Sequence, residues 1–222
     1  TSTPDYFNAC DNPPPSFLGV PSNAFGYQAA STGNAYCGFY ATVGSFDEHL
    51  TAPLTSPLVA GTCYYGEMYF SLAESFSTIG MDKLGMYLTN GAPTETPLGE
   101  IIATPAPQIY GNQIIVDTAE WVQVSGVFVA DGGETHITLG QFFPDNEINY
   151  QAVVTPPPPI NTSYYYVDDV SLFEIDENTV LDYTICEGDC ITIASNQYCD
   201  EGAYVITIPE CTNGVNSFTI NI

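Results

Sequence analysis

No stretch of this chain carries the 3.6-residue apolar period of an amphipathic helix. Short runs rich in Tyr, Phe, Val, Ile and Thr are instead interrupted throughout by turn residues, with 17 Pro and 19 Gly among 222 residues. That punctuation restricts the chain to an all-β architecture, a sandwich or barrel of many short strands. The clearest strands are expected at 62–74, 120–130, 134–143 and 164–175. Asp131-Gly132-Gly133 reads as the hairpin turn joining the second and third of these, and Asn90-Gly91 as another turn. Residues 155–159 (TPPPP) read as a stiff polyproline connection.

A boundary is expected near 176–180. Residues 1–176 would form one large domain and residues 177–222 a small Cys-rich β module, with strands near 181–186, 190–194, 203–208 and 216–222. A module that small buries little apolar surface and needs covalent support. Seven cysteines are available. Their spacings lack the C-x₂-C knuckle of zinc sites, so they read as the disulfide framework of a secreted protein. The expected pairings in the tail are Cys186–Cys211 and Cys190–Cys199, with Cys37 and Cys63 also in the disulfide set. An odd count leaves one thiol free or paired elsewhere.

Charge narrows the function. The chain has 26 Asp+Glu against 1 Lys+Arg, a formal net charge of −25. Such a surface repels phosphate backbones and anionic membranes, which argues against nucleic-acid binding, and Lys83 alone is no clamp for a phosphorylated substrate. No apolar run is long enough to span a bilayer. A hydrophobic fraction of 45% and an aromatic fraction of 13% separate the chain from acidic disordered tails. The opening Thr1-Ser2-Thr3-Pro4 reads as a mature end or a fragment boundary, and the composition suits an extracellular setting.

Strand alternation assigns faces. Tyr64, Met68, Phe70 and Leu72 share one face of the first strand, and Tyr65, Glu67 and Tyr69 the other. Val122, Val124 and Phe128 oppose Trp121, Gln123 and Ser125. Ile137 and Leu139 oppose His136, Thr138 and Gly140. The first set in each strand reads as core. Tyr65, Glu67, Tyr69, Trp121, Gln123 and His136 together would suit a sugar surface, in which aromatic rings stack on the apolar faces of sugars and polar neighbours meet the hydroxyls. The competing reading is plain packing of aromatics in a second layer. A glycoside hydrolase needs two facing carboxylates; Glu67 and Glu134 can be nominated, but no motif supports them. His49 and His136 lie in no metal or catalytic pattern and read as polar surface residues. Asp168 lies in the apolar run 166–172, where Val170 and Leu172 set the core parity and point it inward. Two partners would satisfy it: a Ca²⁺ caged with Asp5 or Asn8, or backbone N–H groups.

The same residues carry a resemblance. Pro4-Asp5-Tyr6-Phe7-Asn8-Ala9-Cys10, Val20-Pro21-Ser22-Asn23, Gly26-Tyr27-Gln28, Gly33-Asn34-Ala35-Tyr36, Trp121-Val122-Gln123-Val124-Ser125-Gly126 and Tyr164-Tyr165-Tyr166-Val167-Asp168-Asp169-Val170-Ser171-Leu172 stand in an order that resembles the carbohydrate-binding-module-like jelly rolls of large Bacteroidota surface proteins. Ile185-Cys186-Glu187-Gly188-Asp189 and Cys211-Thr212-Asn213-Gly214 resemble the short repeats strung between adhesive modules of the same proteins, which include gliding-motility adhesins. The resemblance implies a galactose-binding, CBM-like jelly-roll β-sandwich followed by a small Ig-like module. It implies export by the type IX route, a non-catalytic adhesive role at the cell surface, and glycans or other surface proteins as partners. It also implies O-glycosylation of Thr118 within Asp117-Thr118-Ala119, and a structural Ca²⁺ held in part by Asp168. The chain departs from the family near Asp47-Glu48-His49-Leu50, where relatives often carry Arg or Lys. The alternative to adhesion is a structural subunit of an extracellular filament or coat, self-associating through sheet edges.

Overall fold

The computed structural model describes residues 3–11, 16–44, 46–96, 99–154, 161–176, 178–186, 188, 190–193, 196–207 and 217–222. The polyproline run, Asp189 and the Cys211–Gly214 motif lie outside the described residues. The strands are β1 Asp5–Asn8, β2 Ser22–Asn23, β3 Gly26–Tyr27, β4 Ala35–Thr42, β5 Leu50–Pro53, β6 Cys63–Leu72, β7 Ile79–Met81, β8 Leu84–Thr89, β9 Ile109–Tyr110, β10 Val122–Val129, β11 His136–Gln141, β12 Tyr150–Ala152, β13 Thr162–Glu174, β14 Val180–Asp182, β15 Ile191–Ile193, β16 Asn196–Tyr198, β17 Ala203–Thr207 and β18 Ser217–Asn221. One 3-10 turn, Asp145–Glu147, is the only helical element among the described residues, and no helix is long and apolar enough to cross a membrane.

Two sheets face each other, one ordered β1-β4-β13-β6-β10 and the other β5-β11-β8-β9. The major strands β4, β5, β6, β8, β10, β11 and β13 alternate between them, the connectivity of a jelly roll. Alternation holds as expected on the inner faces. Tyr64, Met68, Phe70 and Leu72 of β6 meet Leu84, Met86, Leu88 and Leu139 of the facing sheet in one core. Gly66 lets the core close tightly: a Cβ there would lie 2.7 Å from Ile109 Cδ1 and 3.1 Å from Met86 Sδ, so those side chains would have to move aside.

The expected hairpin between β10 and β11 does not form. β10 pairs with β6 in one sheet, and β11 pairs with β5 and β8 in the other. The turn itself is real, with Gly132 at φ 94° and Gly133 at φ 90°. It is pinned elsewhere. The Glu134 carboxylate accepts the N–H groups of Asp131 and Gly132, each at 2.9 Å, and Gly133 N–H donates to Leu58 O at 3.0 Å. The chain therefore crosses the sandwich instead of folding back on itself.

The strands after residue 176 form a three-stranded sheet β14-β18-β17, with β14 and β18 parallel, and the hairpin β15-β16. The expected strand at 181–186 shrinks to Val180–Asp182, and Asn196–Tyr198 is an additional strand. Cys190–Cys199 is a disulfide, and Cys63 is disulfide-bonded too. Cys186 is a free thiol, so the expected Cys186–Cys211 bridge is not made. Cys37 is also free. It faces an apolar cleft of about 380 Å³ between Val167, Leu139 and Ile137 rather than another sulfur.

Candidate functional site

The outer face of the five-stranded sheet is covered at two flanks by different parts of the chain. On one flank the segment around β2 and β3 lies over Phe7, Tyr36, Tyr164 and Tyr166. Phe25 stacks on Tyr164 with ring centroids 3.8 Å apart. The tyrosine hydroxyls are all engaged: Tyr164 donates to Asp5 Oδ2 at 2.7 Å, Tyr166 to Asn23 Oδ1 at 2.9 Å and Tyr36 to Gln28 O at 3.0 Å. On the other flank the tail places Ile193, Ile206, Phe218 and Ile220 against Tyr65 and Ile175.

Between these covers lies a strip of the same face. Register places Tyr69 beside Gln123, and Glu67 between Ser125 and Ser171. Glu67 is the hub: Ser171 Oγ donates to Oε1 at 3.2 Å and Gln123 Nε2 to Oε2 at 2.8 Å, while the Tyr65 and Tyr183 hydroxyls lie 3.1 and 3.3 Å from Oε2 and bond each other, so one of the two donates to Glu67. A carboxylate offers about four lone-pair sites, so these donors hold it as a fixed acceptor array. Tyr183 is also 2.6 Å from Tyr65 OH, and burial pushes its phenol up to about 12. The strip forms the floor of a groove of about 550 Å³ lined by Glu67, Tyr69, Ser171, Asp169, Ser31 and Thr32. Tyr69 lines the groove, and burial and the neighbouring Glu67 push its phenol up.

The six residues expected to share a sugar surface separate. Glu67, Tyr69 and Gln123 come together. Tyr65 belongs to that face but is fully buried beneath the tail, with Phe173 and Phe218 rings 5.4 and 6.2 Å away. Trp121 is half-buried against the first flank; its Nε1 donates to Ala29 O at 3.0 Å and its ring meets Tyr36 edge-on at 5.7 Å. His136 is on the other sheet, paired with Thr89 and Pro53, because the chain crosses over at Gly132-Gly133. Glu134 is buried as the cap of that crossover, on a different element from Glu67, so the nominated carboxylate pair does not face across one cleft. His49 is buried rather than superficial. Its Nε2 lies 2.7 Å from Gln141 O, and burial holds its pKa below the usual value.

The Asp168 parity is reversed by a β-bulge. Val167 faces the core, the register shifts between Asp168 and Ser171, Asp169 adopts φ 47°, and Leu172 faces the core again. The extra residue flips the face, as bulges do, so Asp168 points away from the core with Tyr164 and Tyr166. Its oxygens accept Asp169 N–H at 2.8 Å and Ser31 N–H at 2.9 Å. Of the two alternative cation partners, Asp5 is on the face of Asp168 and Asn8 on the other. Asp5 shares a face with Phe7 and accepts the Tyr164 hydroxyl, whereas Asn8 alternates to the opposite face and accepts Cys10 N–H at 3.0 Å. Burial nevertheless raises the Asp168 carboxyl above its usual value, the N–H bonds offsetting it only in part. Among the described residues no group of three or more His, Cys, Asp or Glu side chains is arranged to hold a metal.

Ser31, Thr32, Asp169, Ser171 and Tyr183 complete the groove and its edge without having been singled out in the sequence. Thr32 Oγ1 donates to Asp169 Oδ1, which ties the loop to the bulge. Thr118 sits half-exposed in a turn whose Asp117 Oδ1 accepts Ala119 and Glu120 N–H at 2.9 and 2.8 Å.

No protein-family model matches the chain, and no curated protein does. Among solved structures it is similar to a CBM4 module, at 16% identity and a TM-score of 0.36, over 63% of this chain and 84% of that one. It is similar to the CBM22-1 xylan-binding domain of Xyn10C from Paenibacillus barcinonensis, at 11% identity and a TM-score of 0.35, over 65% of this chain and 75% of that one. It is also similar to the CBM22-1–GH10 modules of the Clostridium thermocellum xylanase Xyn10B complexed with xylohexaose, at 14% identity and a TM-score of 0.36, over 71% of this chain and 24% of that one.

Proposed function

We propose that this chain is a non-catalytic module that binds neutral glycans in the Glu67–Tyr69–Ser171 groove, as part of an adhesive protein at a cell surface. One observation carries the reading. A sheet face whose two flanks are covered by aromatic and aliphatic clusters leaves open between them a strip of hydrogen-bonding side chains beside one tyrosine. Such a strip offers a ring for the apolar face of a sugar and fixed acceptors and donors for its hydroxyls. The groove holds Glu67 and Asp169 on a chain of net charge −25, which disfavours uronic or sulfated polysaccharides by repulsion. The carboxylates nominated for hydrolysis, Glu67 and Glu134, sit on different elements and do not face across one cleft, which weighs against hydrolysis. Disulfides fit an oxidising, extracellular compartment and with it the adhesin and type IX export reading.

Affinity electrophoresis and calorimetry against neutral and acidic polysaccharides test the proposal. Binding to a neutral polymer, weakened at least tenfold by Tyr69→Ala without loss of folding, supports it. Binding that Tyr69→Ala leaves unchanged contradicts the groove.

Assembly through sheet edges is a second reading, favoured by the exposed Tyr6 on edge strand β1 and the exposed Val205 on edge strand β17. Light scattering that reports a monomer at every salt concentration would remove it.

A further inference from the structure

The opposite edge of the sandwich holds a second hollow of different chemistry. β10 is the end strand of its sheet, so one row of its backbone N–H and C=O groups faces away from β6. The segment 108–113, which contains the end strand β9 of the facing sheet, runs beside it. Two adjoining hollows of about 380 and 210 Å³ lie along this edge and share Tyr110, Asn112 and Ser125. Gln113 and Gln123 continue the lining, and Gln197 reaches it from the tail hairpin β15-β16. No charged residue lines either hollow, on a chain with 26 acidic residues.

From this lining we infer that the β10 edge is a second, independent binding cleft for a neutral oligosaccharide. Primary amides donate and accept at once, which matches a sugar hydroxyl, and they ask for no charge on the ligand. Tyr110 supplies the ring. It is partly exposed and is braced from behind by Phe143, with centroids 4.9 Å apart, while the Lys83 ammonium lies 5.6 Å from its centroid. The cleft does not depend on the Glu67 groove. The Gln123 amide, which donates to Glu67, is where the two adjoin.

The test is calorimetry of the full chain with neutral hexaoses built on glucose, mannose and xylose. The variants are Tyr110→Ala, the double change Asn112→Ala/Gln197→Ala, and Tyr69→Ala. Asn112 and Gln197 are exposed, so their double variant keeps its fold even where Tyr110→Ala does not. The expected result is two sites for at least one hexaose. The double variant removes or weakens one of them at least tenfold, and the other persists until Tyr69 is changed. A single site lost with Tyr69→Ala and untouched by the double variant overturns the inference while the groove stands. A single site lost only in the double variant upholds the cleft and removes the groove. No heat with any hexaose overturns both, and capture of an extended peptide along β10 in place of a hexaose overturns the saccharide assignment.

Discussion

The two covered flanks of the five-stranded sheet solve one problem by different means. Near the N-terminus the cover is local to the jelly roll and made of rings: Phe25 lies on Tyr164, Phe7 on Tyr36, and the hydroxyls of Tyr36, Tyr164 and Tyr166 are bound. At the other flank the cover comes from residues more than a hundred positions away and is mostly aliphatic, with Tyr65 as the single large aromatic that β6 supplies. The first flank is sealed by stacking and hydrogen bonds. The second is sealed by strands with their own sheet, which pack on Tyr65, Val127, Val129 and Phe173, with the Tyr183 hydroxyl 2.6 Å from that of Tyr65. The strip between them is the candidate groove, edged by Ser31 and Thr32 on one side and by Tyr183 of the tail on the other.

The largest expected effect breaks the first flank. Phe25→Ala removes the ring stacked on Tyr164 and should cost about 3–5 kcal/mol in denaturant unfolding. Loss of less than about 1 kcal/mol would mean that the segment over this flank is dispensable. Next, Tyr65→Phe keeps the packing beneath the tail and deletes the hydroxyl shared with Tyr183 and Glu67. A cost of roughly 1–2 kcal/mol is expected. Its signature is a tail that opens earlier, read by amide exchange at β17 and β18, while the first flank keeps its protection.

A third test concerns acids buried away from both flanks, where the only lysine is occupied over Phe143. Burial raises the Asp47 carboxyl from 3.8 to about 7, with Glu100 and Asp145 adding repulsion. Between those pH values the folded chain keeps a proton that the unfolded chain has released. Stability therefore falls as pH rises through this window, by at most about 1.4 kcal/mol per unit from this group. Asp47→Asn should flatten that slope; an unchanged slope would show that Asp47 is ionised in the fold. The smallest expected effect is that of chelator. With Asp168 held by N–H groups, removing calcium should leave the melting temperature unchanged, and a drop of several degrees would restore a cation to the bulge.

Much of this was legible in the chain because alternation is a local rule. The core side of β6, β10 and β11 follows from spacing alone, as does the gathering of Glu67, Tyr69 and Gln123 on one face. Pairing is not local. Asp131-Gly132-Gly133 carries a real turn, but the Glu134 cap and the bond to Leu58 direct it across the sandwich, and His136 goes with it. Parity through Asp168 fails at one inserted residue, since a bulge in a run of apolar residues has no mark beyond the unusual pair Asp168-Asp169. The burial of Tyr65 by Phe218 and the arrival of Ser31 and Thr32 at the groove depend on contacts across most of the chain, and spacing carries no record of them.

The most direct measurement is amide hydrogen exchange across the chain with and without a saturating neutral oligosaccharide chosen from the binding screen. The account predicts added protection at Ser31–Thr32 and along Glu67–Tyr69 and Ser171, with the covered flanks unchanged. Protection confined to the His136 face of the other sheet, or none at a concentration where calorimetry shows binding, would contradict it.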